Sequence, residues 1–321
     1  LNNQTRMTHK FGIAIHGGAG TILRSSLTPE REKLYKDALH TALTAGYSVL
    51  TAGGSSLDAV ETAIRSLEDC PLFNAGRGAV FNSAGKHEMD ASIMFGKNLG
   101  AGAVGLINNV KNPIALARKI MENTSHVFVC GEGAEEYAKA FGLEMADDAY
   151  FYDEFRYQQW QQSHIAGGAF LDHNLQSANA SDEKKFGTVG AVALDKDGNL
   201  AAGTSTGGMT NKSPGRLGDS AVIGAGTYAN NNTCAISCTG HGELFIRAVV
   251  GHDVSALIEY KNLSLAEACH EVVMKKLVQI EGEGGLIAID KHGNIELPFN
   301  SEGMYRAMKS SDGREVVAIY K

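Results

Sequence analysis

Proline is scarce in this sequence, with 5 residues in 321 against 38 glycines, and no collagen-like period accompanies the glycines. That balance points to tight turns and close backbone approaches in a folded protein. Cysteine is sparse as well: Cys70, Cys130, Cys234, Cys238 and Cys269 are odd in number and form no Cys-x-x-Cys. A disulfide framework and a zinc knuckle are therefore disfavoured, and a reducing, cytoplasmic compartment is expected. No run of 18 apolar residues occurs, so no membrane span is expected, and residues 1–10 lack the apolar centre of a signal peptide. Positive charge is in deficit. A net charge of −7 gives no electrostatic reason to expect nucleic acid or an anionic membrane as partner.

What is present suffices for a sizeable core: 43% hydrophobic and 20% charged residues are ordinary for a globular chain. Residues 11–15 read as a buried strand running into His16-Gly17-Gly18-Ala19-Gly20. Thr28-Pro29-Glu30 opens a helix that Gly53-Gly54 stops, and Ser55 with Asp58 opens a second through Leu67. Residues 79–81 and 90–95 read as a hairpin, followed by strand 103–107, helix 113–122, strand 126–129 and helix 134–141. From Asp147 to Lys185 the pattern dissolves into Asn, Asp, Ser, Gly and Lys, as in a long functional or processed loop. Strands are then expected over 189–194, 200–205, 220–226 and 234–238, helices over 243–260 and 264–281, a hairpin over 286–297 and a last strand at 316–320. Hairpins and helix pairs in both halves imply an α/β (α+β) fold, a four-layer αββα sandwich of two mainly antiparallel sheets.

Several motifs compete for the chemistry. Gly203-Thr204-Ser205-Thr206-Gly207 has the letters of a serine-hydrolase elbow, but Gly208 to Gly215 cannot start the helix that the elbow needs. Gly224-Ala225-Gly226 is followed by three asparagines and not by a phosphate-binding helix, and His270-Glu271 lacks the second His of a zinc protease. Phe186-Gly187-Thr188-Val189 marks an abrupt change from polar loop to apolar strand. By itself this is equally a loop feeding a strand, and a lone Thr is usually structural.

The combination changes the weighting. Thr206, Arg216, Asp219 and Thr239-Gly240 all fall at strand ends or in Gly-rich connections. A Thr freed at its own amine carries a built-in base, since an α-amine ordinarily titrates at about 7.7–8. A Thr hydroxyl with a Gly N–H suits an oxyanion, and an Arg–Asp pair suits an α-carboxylate and an α-ammonium. Arg216 and Asp219 are equally readable as a plain ion pair. Asparagine and β-linked aspartyl peptides carry both α-groups beside a side-chain amide.

On six stretches the chain resembles the plant-type asparaginase / isoaspartyl aminopeptidase family of N-terminal-nucleophile hydrolases. They are His16 to Gly20, Pro71 to Gly76, Gly187 to Asp195, Gly203 to Lys212, Pro214 to Ser220 and Cys238 to Glu243, in family order. The resemblance implies one domain over 1–321, self-cleaved between Gly187 and Thr188 into an α subunit (1–187, ending in a flexible linker of about 147–187) and a β subunit (188–321). It implies Thr188 as nucleophile, Thr206 as hydroxyl helper, Thr239 and Gly240 as oxyanion donors, and Asn74 as the residue that positions Thr188. It further implies Arg216 and Asp219 as holders of the α-groups, with Thr239, Gly240, His241 and Gly242 also among the substrate-binding residues. The activity implied is hydrolysis of isoaspartyl dipeptides and L-asparagine to L-aspartate, with glycosylasparaginase as the alternative. No cofactor is implied for the chemistry. A structural sodium ion on the main chain of Leu67, Glu68, Cys70, Phe73, Ala75 and Arg77 is implied, as is a dimer of α/β heterodimers.

Overall fold

A computed structural model describes residues 10–165 and 187–321. The linker stretch 166–186 lies outside the described residues, as do 1–9. The first strand, β1 (Gly12–Gly20), is buried along its whole length. Helix α1 (Pro29–Thr51) starts where Thr28 caps it, its side chain accepting the Arg31 N–H, and α2 (Ser56–Glu68) starts from the Ser55 cap. Next come β2 (Met89–Phe95), β3 (Gly100–Ile107), α3 (Pro113–Asn123), β4 (Phe128–Cys130) and α4 (Gly131–Ala140). Two helices, α5 (Asp148–Phe151) and α6 (Glu154–Ile165), lead to the undescribed linker. Beyond it lie β5 (Val189–Leu194), β6 (Leu200–Thr206), β7 (Thr227–Ala229) and β8 (Cys234–Gly240). Helices α7 (Gly242–Ala248), α8 (Val250–Lys261) and α9 (Leu265–His270) follow, the last passing through a π-helical turn (Glu271–Lys276) into α10 (Leu277–Gln279). Strands β9 (Gly284–Asp290), β10 (Ile295–Glu296), β11 (Gly303–Ser310) and β12 (Glu315–Tyr320) end the chain.

The strands form an eight-stranded sheet, ordered β12-β11-β1-β5-β6-β2-β3-β4, and a four-stranded sheet, ordered β10-β9-β8-β7. Every pairing is antiparallel except β3 with β4. Three separate apolar clusters identify the layers. One joins Ile13, Ile15 and Ala191 to Leu39, Leu43, Ile64 and Leu67 of the first helices. A second joins Ala14 and Val192 to Ala235, Ile287 and Ile289, sheet against sheet. The third joins Ile236 and Leu286 to Val254, Ala268 and Val273 of the later helices. Alternate residues of one strand thus enter different cores, which is the αββα sandwich expected.

Several local expectations are corrected. Residues 79–81 are not a strand; their polar backbone is met by loops, with Val80 N–H on Asn74 Oδ1 and Asn211 N–H on Phe81 O. The hairpin is β2–β3, and β11 is a strand that the sequence pattern does not announce. Asp219–Ala221 is a 3-10 turn in place of the strand expected at 220–226. The helix expected over 243–260 breaks at Val249, whose φ of 50° is left-handed. The expected linker is helical over α5 and α6, where Tyr157 and Trp160 pack on Phe81. Only its remainder is left outside the described residues.

Candidate active site

Thr188 precedes β5, and Thr206 ends β6, the strand that pairs with it. Both face one pocket and both are buried. The Thr188 hydroxyl donates to Thr206 Oγ1 at 3.2 Å, and the Gly208 N–H donates to the same oxygen at 2.9 Å. A hydroxyl oxygen already anchored by a backbone N–H is well fixed to receive the O–H of a nucleophile. In the continuous chain the Thr188 nitrogen is a peptide nitrogen.

Beneath Thr188 the space between the sheets is polar. His16 Nδ1 lies 3.0 Å from the Thr188 carbonyl oxygen and Nε2 lies 2.9 Å from Ser237 Oγ. Burial pushes the His16 pKa down to about 3, the Thr188 bond opposing it, so the ring is neutral. A carbonyl only accepts, hence Nδ1 carries the proton and Ser237 donates to Nε2. Ser237 in turn meets Thr204 at 2.7 Å, and Thr227 donates to Thr204. Gly190 makes room for this run: a Cβ there would sit 2.0 Å from Ser237 Oγ and 2.4 Å from His16 Nε2.

Thr239 and Gly240, at the end of β8, line the opposite wall. The Ala19 N–H donates to Thr239 Oγ1 at 3.2 Å, which leaves the Thr239 proton free for another acceptor. Asp219 is buried, and its Oδ2 meets no hydrogen-bond donor among the described residues. Burial raises its pKa to about 7, with Arg216 pulling it back. Arg216 is not its hydrogen-bonded partner. The guanidinium is held through Nε and Nη2 by the Glu243 carboxylate, at 2.9 and 2.8 Å. Burial alone would raise the Glu243 pKa, but the Arg216 bond and charge bring the net value below the usual carboxylate range.

The structure therefore gathers Gly187, Thr188, Thr206, Arg216, Asp219, Thr239, Gly240 and Gly242 on one pocket. Asn74 and His241 are not on its wall. Asn74 lies one step behind it: its Nδ2 donates to Gly208 O at 2.7 Å and its backbone carbonyl accepts the Gly207 N–H, which holds the turn after Thr206. His241 stands half-buried, 3.5 Å from Glu243. The sequence pattern assigns no role to His16, Ala19, Ser237 or Glu243. His16 and Glu243 do lie at the ends of two family-like stretches, the His before Gly17-Gly18 and the Glu after Gly242, and that is the signal available for them. Ser205 is fully buried with its hydroxyl on Glu68, which removes the serine-elbow reading.

At the end of α2 and in the loop after it, the carbonyls of Leu67, Cys70, Phe73 and Ala75 each accept a backbone N–H. Neutral backbone oxygens of this kind suit a hard cation. No group of three His, Cys, Asp or Glu side chains fit to hold a metal occurs among the described residues.

An αββα sandwich with a threonine hydroxyl heading an inner strand has the layout of an N-terminal-nucleophile hydrolase. The family model described as asparaginase matches residues 9–319, and the chain belongs to that family. It is 52% identical over 312 residues to the isoaspartyl peptidase of Escherichia coli (strain K12), with 97% of each chain covered. It is 51% identical over 313 residues to the isoaspartyl peptidase of Salmonella typhimurium, covering 98% of this chain and 99% of that one. A probable isoaspartyl peptidase/L-asparaginase 2 of Arabidopsis thaliana is 41% identical over 327 residues, covering 97% of this chain and 99% of that one.

Proposed function

We propose that this protein is a self-processing threonine amidohydrolase that cleaves isoaspartyl dipeptides and L-asparagine and releases L-aspartate. The observation that carries the reading is Asp219, a buried carboxylate with an oxygen that meets no donor among the described residues, on the same pocket as Arg216 and the Thr188 hydroxyl. Such an oxygen is costly unless a cation reaches it. An α-ammonium satisfies it, while the edge of Arg216 left free by Glu243 takes the α-carboxylate.

In maturation the Thr188 hydroxyl attacks the Gly187 carbonyl carbon, the Gly187–Thr188 C–N bond breaks to free the Thr188 amine as an ester forms on Oγ1, and water hydrolyses that ester to the Gly187 carboxylate and the Thr188 hydroxyl. In turnover that amine takes the hydroxyl proton as Oγ1 attacks the side-chain amide carbon. Thr239 Oγ1–H and the Gly240 N–H hold the oxyanion, and the leaving amine departs with the proton. Water then hydrolyses the β-aspartyl ester. The reading includes a structural sodium ion on the main-chain oxygens of Leu67, Glu68, Cys70, Phe73, Ala75 and Arg77, through which no chemical step runs. It also includes a cytoplasmic dimer of two α/β heterodimers; among the described residues, no helix is long and apolar enough to cross a membrane.

Thr188→Ala is expected to give one full-length band on a denaturing gel, while the wild type gives two and hydrolyses β-aspartyl-leucine. Two bands from the variant would remove Thr188 as nucleophile. Turnover of N-acetylglucosaminyl-asparagine but not of the dipeptide would replace the substrate assignment.

A further inference from the structure

Asn300 lies outside the pocket, yet it makes more directed bonds than any side chain in it. Its Nδ2 donates to Gly282 O at 2.8 Å and to Val273 O, in the π-helical turn, at 3.1 Å. Its Oδ1 accepts the Gly284 N–H at 2.8 Å, and its own N–H donates to Gly284 O at 2.9 Å. Two carbonyls on one end of the amide and an N–H on the other leave only one orientation for it. Asn300 therefore clamps both polar groups of Gly284, the first residue of β9.

Gly284 stands directly opposite Gly240 in the β8–β9 ladder, and Gly285 stands opposite Thr239. The contact is too close for side chains. A Cβ on Gly284 would lie 2.3 Å from Thr239 O, and one on Gly240 would lie 2.4 Å from Glu283 O. The His241 N–H also bonds to Glu283 O at 3.1 Å. With no side chain as cushion, a shift of residues 283–284 is passed on to the backbone of Thr239 and Gly240.

We propose that Asn300 is a positioning residue for the oxyanion donors, holding Gly284 so that Thr239 and Gly240 keep their place. π-helical turns recur at functional sites, and here the turn presents the Val273 carbonyl that anchors the clamp. The inference rests on the oxyanion role given above to Thr239 and Gly240. Arg216 and Asp219 sit on a different connection, reached from residues 283–284 only through His241 and Glu243, so substrate capture is expected to change less than the chemical step.

The test compares purified, fully cleaved wild type with Asn300→Ala and Asn300→Asp, the latter losing both Nδ2 donors. The expected result with β-aspartyl-leucine is a fall in kcat of about tenfold or more, less than the loss of a whole oxyanion donor. KM and the Kd for L-aspartate, measured by calorimetry, are expected to stay within about twofold. Should either variant fail to fold, Asn300→Ser carries the same comparison. Unchanged kcat, or kcat and Kd worsening together, overturns the inference. If the wild type itself leaves the dipeptide intact, the functional reading falls separately. The same ratio is then measured on whichever amide it does hydrolyse, or on the rate of self-cleavage.

Discussion

Asp219 is buried, and one of its two carboxylate oxygens meets no donor among the described residues. Its pKa is raised to about 7, so at pH 6 it is mostly neutral and at pH 8 mostly ionised. An ammonium pairs only with the ionised form. L-aspartate binding to the mature enzyme should therefore tighten about tenfold from pH 6 to pH 8. In Asp219→Asn that slope should disappear and affinity should be low throughout, which calorimetry at the two pH values can check. A wild-type slope of the opposite sign would remove Asp219 from the ammonium site. At this scale the candidates Thr188, Thr206, Arg216, Asp219, Thr239 and Gly240 are named from the sequence as polar or glycine positions at strand ends and in Gly-rich connections, and the family resemblance is what singles them out. Glu243 is not, since its bond to Arg216 spans 27 positions and its place at the end of a family-like stretch does not show that partner.

Helix α2 ends in Glu68, which is fully buried against β6 and α3. Its Oε1 accepts the Ser205 hydroxyl at 2.7 Å and the Ile114 N–H at 3.0 Å, while burial lifts its pKa to about 8 in spite of them. The folded state thus keeps a proton that an unfolded carboxyl gives up near 4.5. This carboxyl contributes a loss of stability that grows as pH rises from about 4.5 to 8 and vanishes below that window. Glu68→Gln retains an acceptor for Ser205 and should raise Tm by a few degrees at pH 8, on the order expected for about one or two kcal/mol, and by less at pH 5. An equal change at both pH values would mean that the carboxyl is ionised in the fold. Elements with their own punctuation are legible, such as the Thr28-Pro29 and Ser55–Asp58 starts. Strand β11 is hidden because Arg306 and Lys309 interrupt its apolar run; Arg306 is absorbed by Tyr320 O and the Phe299 ring, and Lys309 by Glu315. Residues 79–81 mislead in the opposite sense, being apolar for burial under an aromatic cluster and not for a sheet.

Cleavage after Gly187 would divide the molecule into pieces that are interleaved in one sheet. Strand β1 of the first piece lies between β11 and β5 of the second, and β2 pairs with β6. Three seams of backbone hydrogen bonds would then join the pieces, with all three apolar cores intact around them. The two fragments should accordingly elute together in neutral buffer and separate only in denaturant, with one unfolding transition. Separation without denaturant would mean that the seams form only in the uncut chain.

The sequence by itself determined the αββα class, most helix starts and several of the residues that meet at the pocket, because periodicity and caps are local signals and each family-like stretch is continuous in the chain. Only the tertiary structure decided that Arg216 is held by Glu243, that one Asp219 oxygen meets no donor among the described residues, and that Asn74 and Asn300 bond to Gly207, Gly208 and Gly284. Those facts depend on which strands become neighbours, and burial, the term that shifts each pKa here, exists only once the sheets have stacked.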